Sequence, residues 1–378
     1  MSQNAGGTSA PPRTRVAVVF GGRSPEHGVS CVTAGSVLGA LDRDRYEVVP
    51  VGIARDGRWV LAPDEPKRFA IEAGQLPSVD ETGTALALPA DPSARGLVTL
   101  AAGQVPRQLG QVDVVFPLLH GPFGEDGTVQ GLLELAGVPY VGSGMLASAA
   151  GLDKHYMKVL LASHGIPVGR YVVVRDRDWH RDRKRVIEKI TDLSWPVYVK
   201  PARSGSSIGI TKVVGEDELE SAVEAARKHD PKVMVEAAIA GREIECGVLE
   251  GFGERPPEAS LPGEIVVHGE HQFYDFTAKY LPDEGTELNV PADLPAAVVE
   301  KVRSMAVTAF EALSCEGLAR VDFFYTPDGS LLVNELNTMP GFTPSSMFPR
   351  MWAASGLEYP ALVDRLIRLA LQRRVGLR

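Results

Sequence analysis

Apolar, β-branched runs alternate with helix-length stretches from residue 15 onward. Val16-Ala-Val-Val-Phe20 ends in Gly21-Gly22, which predicts a buried strand entering a tight turn. Residues 30–41 predict a helix and residues 46–53 a second strand. Between 54 and 111 the pattern breaks into Pro, Gly and Asp clusters with short apolar pieces, predicting hairpins and loops. Residues 112–116 resume the sheet, 128–136 predict a helix, and Pro139-Tyr-Val141 closes the unit. Strand–helix alternation argues for an α/β class with a doubly wound, mostly parallel sheet, whose ligands lie at the carboxyl ends of its strands.

A second unit opens with a helix over 153–164, ended by Gly165, followed by strands at 171–174 and 196–200 and a Gly/Ser loop. A helix over 217–228 and a strand over 232–236 complete it. The remainder is β-rich, giving an α+β C-terminal part: strands at 243–249 and 263–267, a long acidic loop at 272–291, a helix over 294–313, a hairpin over 317–336 and a last helix over 359–373. The expected divisions are a tail at 1–13 and units at 14–148, 149–238 and 239–378.

Composition narrows the function. The chain has 378 residues, enough for two or three cores. Its 39 basic and 48 acidic side chains give a net charge of −9, which argues against nucleic acid and anionic membrane as partners. Six basic residues between 175 and 185 are offset by three Asp and read as a solvated helix face. Cys31, Cys246 and Cys315 are odd in number and far apart, so they form no disulfide framework or Cys-x-x-Cys pair and read as buried apolar residues. No signal-peptide core opens the sequence, and the best apolar candidate for a span, residues 132–152, is interrupted by Glu134, Pro139 and glycines. A reducing cytoplasm fits these features.

The segment 317–337 carries the most chemistry. Asp328-Gly329 between two β-rich runs is a strong hairpin signal. A two-residue turn there sets Asp322 against Glu335 and Arg320 against Asn337, all four on one face, with Val321, Phe323 and Leu336 on the other. Asn334 is out of place on that apolar face. An ion pair accounts for Arg320 and Asp322 but not for two carboxylates facing each other. A divalent cation removes that conflict, because Asp, Glu and Asn are hard oxygen ligands suited to Mg²⁺ with substrate phosphates.

Lys200-Pro-Ala-Arg-Ser-Gly-Ser-Ser-Ile-Gly209 places a lysine at a strand end before a Gly/Ser loop, which suits a polyphosphate; an ordinary surface loop is the alternative. It matches neither the Walker nor the Gly-x-Gly-x-x-Gly pattern. Lys154 and Lys279 are further candidates. Glu26 stands just before a helix start, where a carboxylate complements the helix dipole. The loop His120-Gly-Pro-Phe-Gly-Glu-Asp-Gly127 is glycine-dense enough for close backbone approach to a ligand. Taken locally, a buried histidine and a Glu125-Asp126 helix cap are the better explanation of it. No Ser-His-Asp or Cys-His spacing supplies a nucleophile.

With these motifs in order, the chain resembles the D-alanine–D-alanine ligases of the ATP-grasp superfamily from about residue 15 to the final helix. The matches are the 120–131 loop, the 200–209 loop, Phe273-Tyr-Asp-Phe-Thr-Ala-Lys-Tyr280, Ala319-Arg-Val-Asp322 and Asn334-Glu-Leu-Asn-Thr-Met-Pro-Gly341. The resemblance implies a three-domain ATP-grasp architecture with ATP between the central and C-terminal units. It implies Asp322, Glu335 and Asn337 as ligands of two Mg²⁺ (or Mn²⁺) ions, with a monovalent cation as a further candidate. Lys154, Lys200 and Lys279 match phosphate-binding lysines, and Ser206 and Ser207 the loop over the phosphates. Glu236, Ala238 and Ile239 fall at the nucleoside and adenine, and Glu243 at the ribose. Glu26, supported by Ser206 and Tyr280, is similar to the carboxylate that binds the first D-alanine's ammonium, with His120 near that substrate's carboxylate. Arg320 and the Gly341 N–H match oxyanion donors, and Ser346 the group that binds the second substrate's carboxylate.

The implied reaction phosphorylates the first D-alanine and then captures the acyl phosphate with the second substrate's amine, for peptidoglycan synthesis, in a cytoplasmic homodimer. The loop at 272–291 would close over the reacting groups. Two positions depart from many relatives: Gly28 where a second acid is common, and Ser204 where Glu is common. Ligases adding D-lactate or D-serine are the near alternative. A catalytically silent ATP-binding regulator would show decay of the metal and lysine positions, and every one of them is filled.

Overall fold

The computed structural model describes residues 13–94, 96–100, 104–268 and 286–373. Its first sheet has seven strands in the order β6-β5-β4-β3-β2-β1-β7. Next to its β7 end lies β1 (Thr14–Gly21), flanked by β2 (Tyr46–Ile53) and β7 (Val114–Pro117), both parallel to it. Val16 to Phe20 are all buried, as a strand covered on both faces requires. Helix α1 (His27–Ala40) covers one face and α2 (Thr128–Ala136) the other.

The parallel part is confined to these three strands. The loop-like text between 54 and 111 forms β3 (Trp59–Leu61), β4 (Ala85–Ala87), β5 (Gly96–Thr99) and β6 (Arg107–Gln111), which extend the sheet antiparallel from β2. The links after β2, β4 and β5 are too short for a parallel return, which needs a crossover of a dozen or more residues. Residues 62–84 between β3 and β4 are long enough for one and still return antiparallel.

Helices α3 (Met145–Leu152) and α4 (Lys154–Ser163) lead to an antiparallel sheet of four strands, ordered β10-β9-β11-β8. These are β8 (Tyr171–Arg175), β9 (Val197–Pro201), β10 (Thr211–Val213) and β11 (Lys232–Ala237). Helices α5 (Asp176–Arg181), α6 (Arg183–Thr191) and α7 (Glu216–Arg227) cover one face through Trp179, Ile190, Leu219 and Val223. The basic stretch at 175–185 therefore spans two short helices broken at Asp182, with Trp179 as its buried anchor.

The third sheet runs β15-β14-β12-β16-β17, with β13 (Glu258–Ala259) paired to β12. Its members are β12 (Arg242–Leu249), β14 (Gly263–Val267), β15 (Thr286–Asn289), β16 (Leu318–Tyr325) and β17 (Leu331–Asn337). Helix α8 (Ala296–Ala312) and α4 bury its apolar face, around Val321, Phe323, Val333 and Leu336. Helices α9 (Met347–Ala354) and α10 (Tyr359–Gln372) fold back, and α10 packs Leu362, Leu366 and Ile367 into the core that holds α1. Sequence reading anticipates neither α3, which is short and rich in Ala, Ser and Gly, nor α9, which carries Pro349 in its first turn.

Phe342 joins these pieces. Fully buried, it meets Phe116 of the first sheet edge-on, Phe348 of α9 and Tyr359 of α10, at centroid distances of 6.0, 5.9 and 5.7 Å. Phe342→Ala should lower stability by about 3–5 kcal/mol, the usual range for an emptied aromatic site. Chemical denaturation would read it as a lower midpoint at unchanged slope.

All three cysteines are buried, and burial pushes the Cys246 and Cys315 thiols up to about 12. Among the described residues no helix is long and apolar enough to cross a membrane.

Candidate active site

The second and third sheets face each other across a cleft of about 230 Å³. Its floor is the β16–β17 hairpin. Arg320 lies opposite Asn337 and Asp322 opposite Glu335, as the sequence predicts. The route to that register differs from a two-residue turn. Pro327, Asp328 and Gly329 form a three-residue loop, with Gly329 N–H bonded to Thr326 O and Gly329 at φ +83°. Pro327 favours a type I turn followed by a left-handed residue, for which glycine is the natural choice. The added residue is cancelled by a bulge: Phe323 pairs with Val333, Asp322 with Glu335, and Asn334 has no opposite number. The misplaced Asn334 is therefore the bulge residue, and it lines the cleft.

The charges on this floor are tightly arranged. Arg320 Nε and Nη2 donate to Asp322 at 2.7 and 2.6 Å, and the Asn337 amide donates to Asp322 at 3.0 Å. Lys154 Nζ donates to Glu335 at 3.0 Å. Burial opposes the charge on Arg320, but Asp322, Glu245 and Glu335 outweigh it and hold the guanidinium firmly protonated. Burial likewise opposes the charge on Lys154, and Glu335 more than compensates, raising it above the ordinary lysine range.

Among the described residues no three His, Cys, Asp or Glu side chains form a ready-made metal cage. Two carboxylates and an amide on one face instead fit a hard dication that completes its shell with phosphate oxygens and water. The cations Arg320 and Lys154 neutralise those carboxylates in this structure.

The opposite wall holds Lys200 near the end of β9, opposite Met234 of β11, and Glu236 two residues further along β11 on the same face. Glu236 pairs with Lys200 and, at 2.8 Å, with Lys158. Burial pushes the Glu236 carboxyl up, yet Lys200 and Lys158 win and hold it down at about 2. Lys200 itself is driven below the ordinary lysine range by burial, against the pull of Glu236. Such an ammonium is poorly solvated and suited to an incoming anion.

Ser206 and Ser207 line the cleft with φ of +48° and +59°, strained conformations for serine. Ile239 and Glu243 also line it; Ala238 follows β11, its N–H bonded to Pro196 O.

Glu26 comes from the first unit and meets Ser206 of the cleft without lining the cleft itself. It occupies the N-cap position of α1, but its side chain makes no cap bond there; it accepts from Ser206 Oγ instead. Gly121 sits at φ +70°, and a Cβ on it would lie 2.5 Å from Glu26 Oε2, so the 120–127 loop must carry glycine here. His27 fixes the turn before Glu26, donating from Nδ1 to Gly22 O at 2.7 Å while Nε2 accepts from Val79 N–H at 3.1 Å.

His120 is 3% exposed, and its Nε2 has no hydrogen-bond partner among the described residues. Burial lowers its pKa, with Glu26 opposing. Asp126 accepts from the N–H groups of Phe123 and Thr128, as a cap does, whereas Glu125 accepts from Gly121 N–H at 2.6 Å. Burial, then Glu26, pushes the Glu125 carboxyl up to about 8.

That shift gives a sign. Between about pH 4.5 and 8 the folded protein holds a proton on Glu125 that the unfolded chain has lost, so stability falls as pH rises across this window. Glu125→Gln should flatten the decline, and thermal unfolding at pH 5, 6.5 and 8 would reveal it; an unchanged slope would refute the assignment.

Ser346 N-caps α9 by position, its hydroxyl bonded to Thr343 Oγ1 at 2.8 Å, and Gly341 lies in the preceding loop; neither lines the cleft. Lys279, Tyr280 and most of the expected closing loop lie outside the described residues, and its last part forms β15.

Sequence reading missed Lys158, Glu245 and Glu125. Lys158 lies four residues after Lys154 on α4, a spacing that puts both on one helix face. Glu245 lies two after Glu243 on β12, the same-face spacing of a strand. Glu125 carries no such signal.

An antiparallel sheet and a larger sheet closing on buried lysines from one side and carboxylates from the other define an ATP-grasp ligase. Residues 15–143 match the family profile described as D-ala D-ala ligase N-terminus, and residues 160–368 that described as D-ala D-ala ligase C-terminus. A D-alanine–D-alanine ligase from Arthrobacter sp. (strain FB24) is 56% identical over 97% of this chain and 96% of its own. Among solved structures, VanG D-Ala:D-Ser ligase from Enterococcus faecalis is similar with a TM-score of 0.82 at 35% identity, covering 95% of this chain and all of that one. The D-alanine-D-alanine ligase from Coxiella burnetii gives 0.79 at 35% identity, covering 96% and 95%. The chain belongs to the D-alanine–D-alanine ligase family. Membership implies ATP and a divalent metal.

Proposed function

We infer that this protein joins two D-alanine molecules at the expense of ATP, giving D-alanyl-D-alanine, ADP and phosphate for peptidoglycan precursors. The observation that carries this reading is the contact between Ser206 of the Gly/Ser loop and Glu26 of the first unit. It puts an acid suited to an ammonium beside a loop suited to a phosphate, so a small amino acid held at Glu26 presents its carboxylate to that phosphate.

In this reading the D-alanine carboxylate attacks the γ-phosphate, ADP leaves, and D-alanyl phosphate forms. The second amine then attacks the acyl carbon, loses a proton and expels phosphate. Glu26, with Ser206 and Tyr280, orients the first substrate, and His120 sits near its carboxylate. Lys154, Lys200 and Lys279 neutralise phosphate charge, with Ser206 and Ser207 over the oxygens. Glu236, Ala238, Ile239 and Glu243 hold the nucleoside. Arg320 and the Gly341 N–H stabilise the tetrahedral oxyanion, and Ser346 takes the second carboxylate. Asp322, Glu335 and Asn337 are the residues that would hold the metal, Mg²⁺ or Mn²⁺, which when bound supplies positive charge to the phosphates. The protein thus works by positioning and charge neutralisation, without its own nucleophile. A monovalent cation as activator, the units at 14–148, 149–238 and 239–378, a homodimer and a cytoplasmic setting complete the proposal.

The test is ADP release from ATP and Mg²⁺ with D-alanine, L-alanine, D-lactate plus D-alanine, or no acceptor, with products weighed by mass spectrometry. Stoichiometric ADP and D-alanyl-D-alanine only with D-alanine is expected; nucleotide binding without turnover would overturn the reading.

The VanG likeness favours D-serine as the second reading, but the 56% identical relative is named for D-alanine. Tyr280→Phe should loosen discrimination between amine and hydroxyl acceptors, and unchanged product ratios would defeat that role.

A further inference from the structure

Three carboxylates stand abreast on adjacent strands of the third sheet. Glu245 on β12 lies opposite Asp322 on β16, which lies opposite Glu335 on β17. Neighbouring strands are only about 4.8 Å apart, so this row concentrates negative charge. Glu245 has no place in the reading above, yet it is 4% exposed and its Oε2 lies 3.0 Å from Arg320 Nε. Arg320 therefore donates hydrogen bonds to both oxygens of Asp322 and stands within ion-pair distance of Glu245, placed between the two carboxylates.

This arrangement contains a conflict. If Asp322 turns to a dication, guanidinium and metal share one carboxylate and repel across it. Arg320 must yield while still pointing at the substrate. Glu245 stands on the β12 side, away from Glu335 and Asn337, so Arg320 can lean onto it without entering the space between the ligands. A buried guanidinium with no such second partner would be left uncompensated, which is costly.

We propose that Glu245 is a positioning residue that holds Arg320 in place when Asp322 is given over to the metal. The inference rests on the reading of Asp322 as a metal ligand and Arg320 as an oxyanion donor. It separates two demands that otherwise compete: metal–nucleotide binding and the aim of Arg320.

The experiment is Mn²⁺·ADP binding by calorimetry, which involves no turnover, on the unsubstituted protein, Glu245→Gln, Arg320→Ala and the double variant. Glu245→Gln should weaken binding about tenfold, within the coupling range of contacting charged residues. In the Arg320→Ala background the same substitution should change nothing, because no guanidinium competes for Asp322. An equal loss in both backgrounds would make Glu245 a metal ligand or a structural prop and overturn the proposal. No loss in either would overturn it too, since Arg320 would need no second partner. Glu245→Asp keeps the charge on a shorter arm; it should fall between the two if Glu245→Gln folds poorly, and wild-type affinity would count against the proposal. Failure of the unsubstituted protein to bind Mn²⁺·ADP would instead remove the site reading itself.

Discussion

Asp322→Asn is expected to abolish dipeptide formation, with kcat lowered at least ~10³-fold, the scale of losing several kcal/mol of charge stabilisation at a transferring phosphoryl group. The reason lies in how few groups serve the site. The hairpin offers two carboxylates and one amide, and Asp322 is the central member, contacted by Arg320 and Asn337. A neutral amide has a similar shape but no charge to offer a dication. The fold should survive, because Arg320 keeps Glu245 as a partner and the apolar face behind Asp322 is untouched. ADP release and circular dichroism on the same sample would check both halves. Turnover within tenfold of wild type would end the metal assignment.

Lys200→Met should lower kcat/KM for ATP by roughly 10²–10³-fold, as expected for removing a preorganised charge from a water-poor site. Lys200 is 8% exposed and paired with Glu236, so its loss also removes one of two neighbouring cations from a buried carboxylate. Lys158 remains, and the Glu236 carboxyl should stay ionised while rising from about 2. The variant should therefore fold with a reduced melting temperature. Lys158→Met is the useful contrast. It weakens the support of Glu236 but leaves Lys200 for the phosphates, so its defect should fall mainly on ATP affinity. Initial rates over a range of ATP would distinguish them, and equal kcat losses would show that the two lysines share one task.

The sequence was most legible where periodicity and local signals agree. The strand at 46–53 and the helix at 128–136 have the observed bounds, because a largely apolar run marks the first and Gly127 and Gly137 bracket the second. The Asp322–Glu335 pairing came out as expected although the turn did not, because a two-residue turn and a three-residue loop followed by the Asn334 bulge give the same register there. Tertiary events were not. Glu26 looks locally like a dipole-complementing residue, and only the approach of a loop 180 residues later gives it Ser206 as a partner. The raised carboxyl of Glu125 depends on burial under several loops, which no spacing encodes. Lys158 and Glu245 are within reach of periodicity, four residues after Lys154 on a helix and two after Glu243 on a strand, but nothing in the local sequence singles them out.

The Asn334 bulge has a consequence for how this hairpin can vary in length. The loop at 327–329 is one residue longer than a two-residue turn, and the bulge absorbs that residue before the strands reach Asp322 and Glu335. Trimming the loop alone would throw the Asp322–Glu335 and Arg320–Asn337 pairs out of step, sending alternate side chains to the wrong face. Removing Asn334 alone would do the same from the other end. Deleting one residue from each place together keeps Asp322 against Glu335. Insertions and deletions in this segment should therefore be tolerated in compensating pairs, and a library of single and paired deletions scored for folded protein would show that parity.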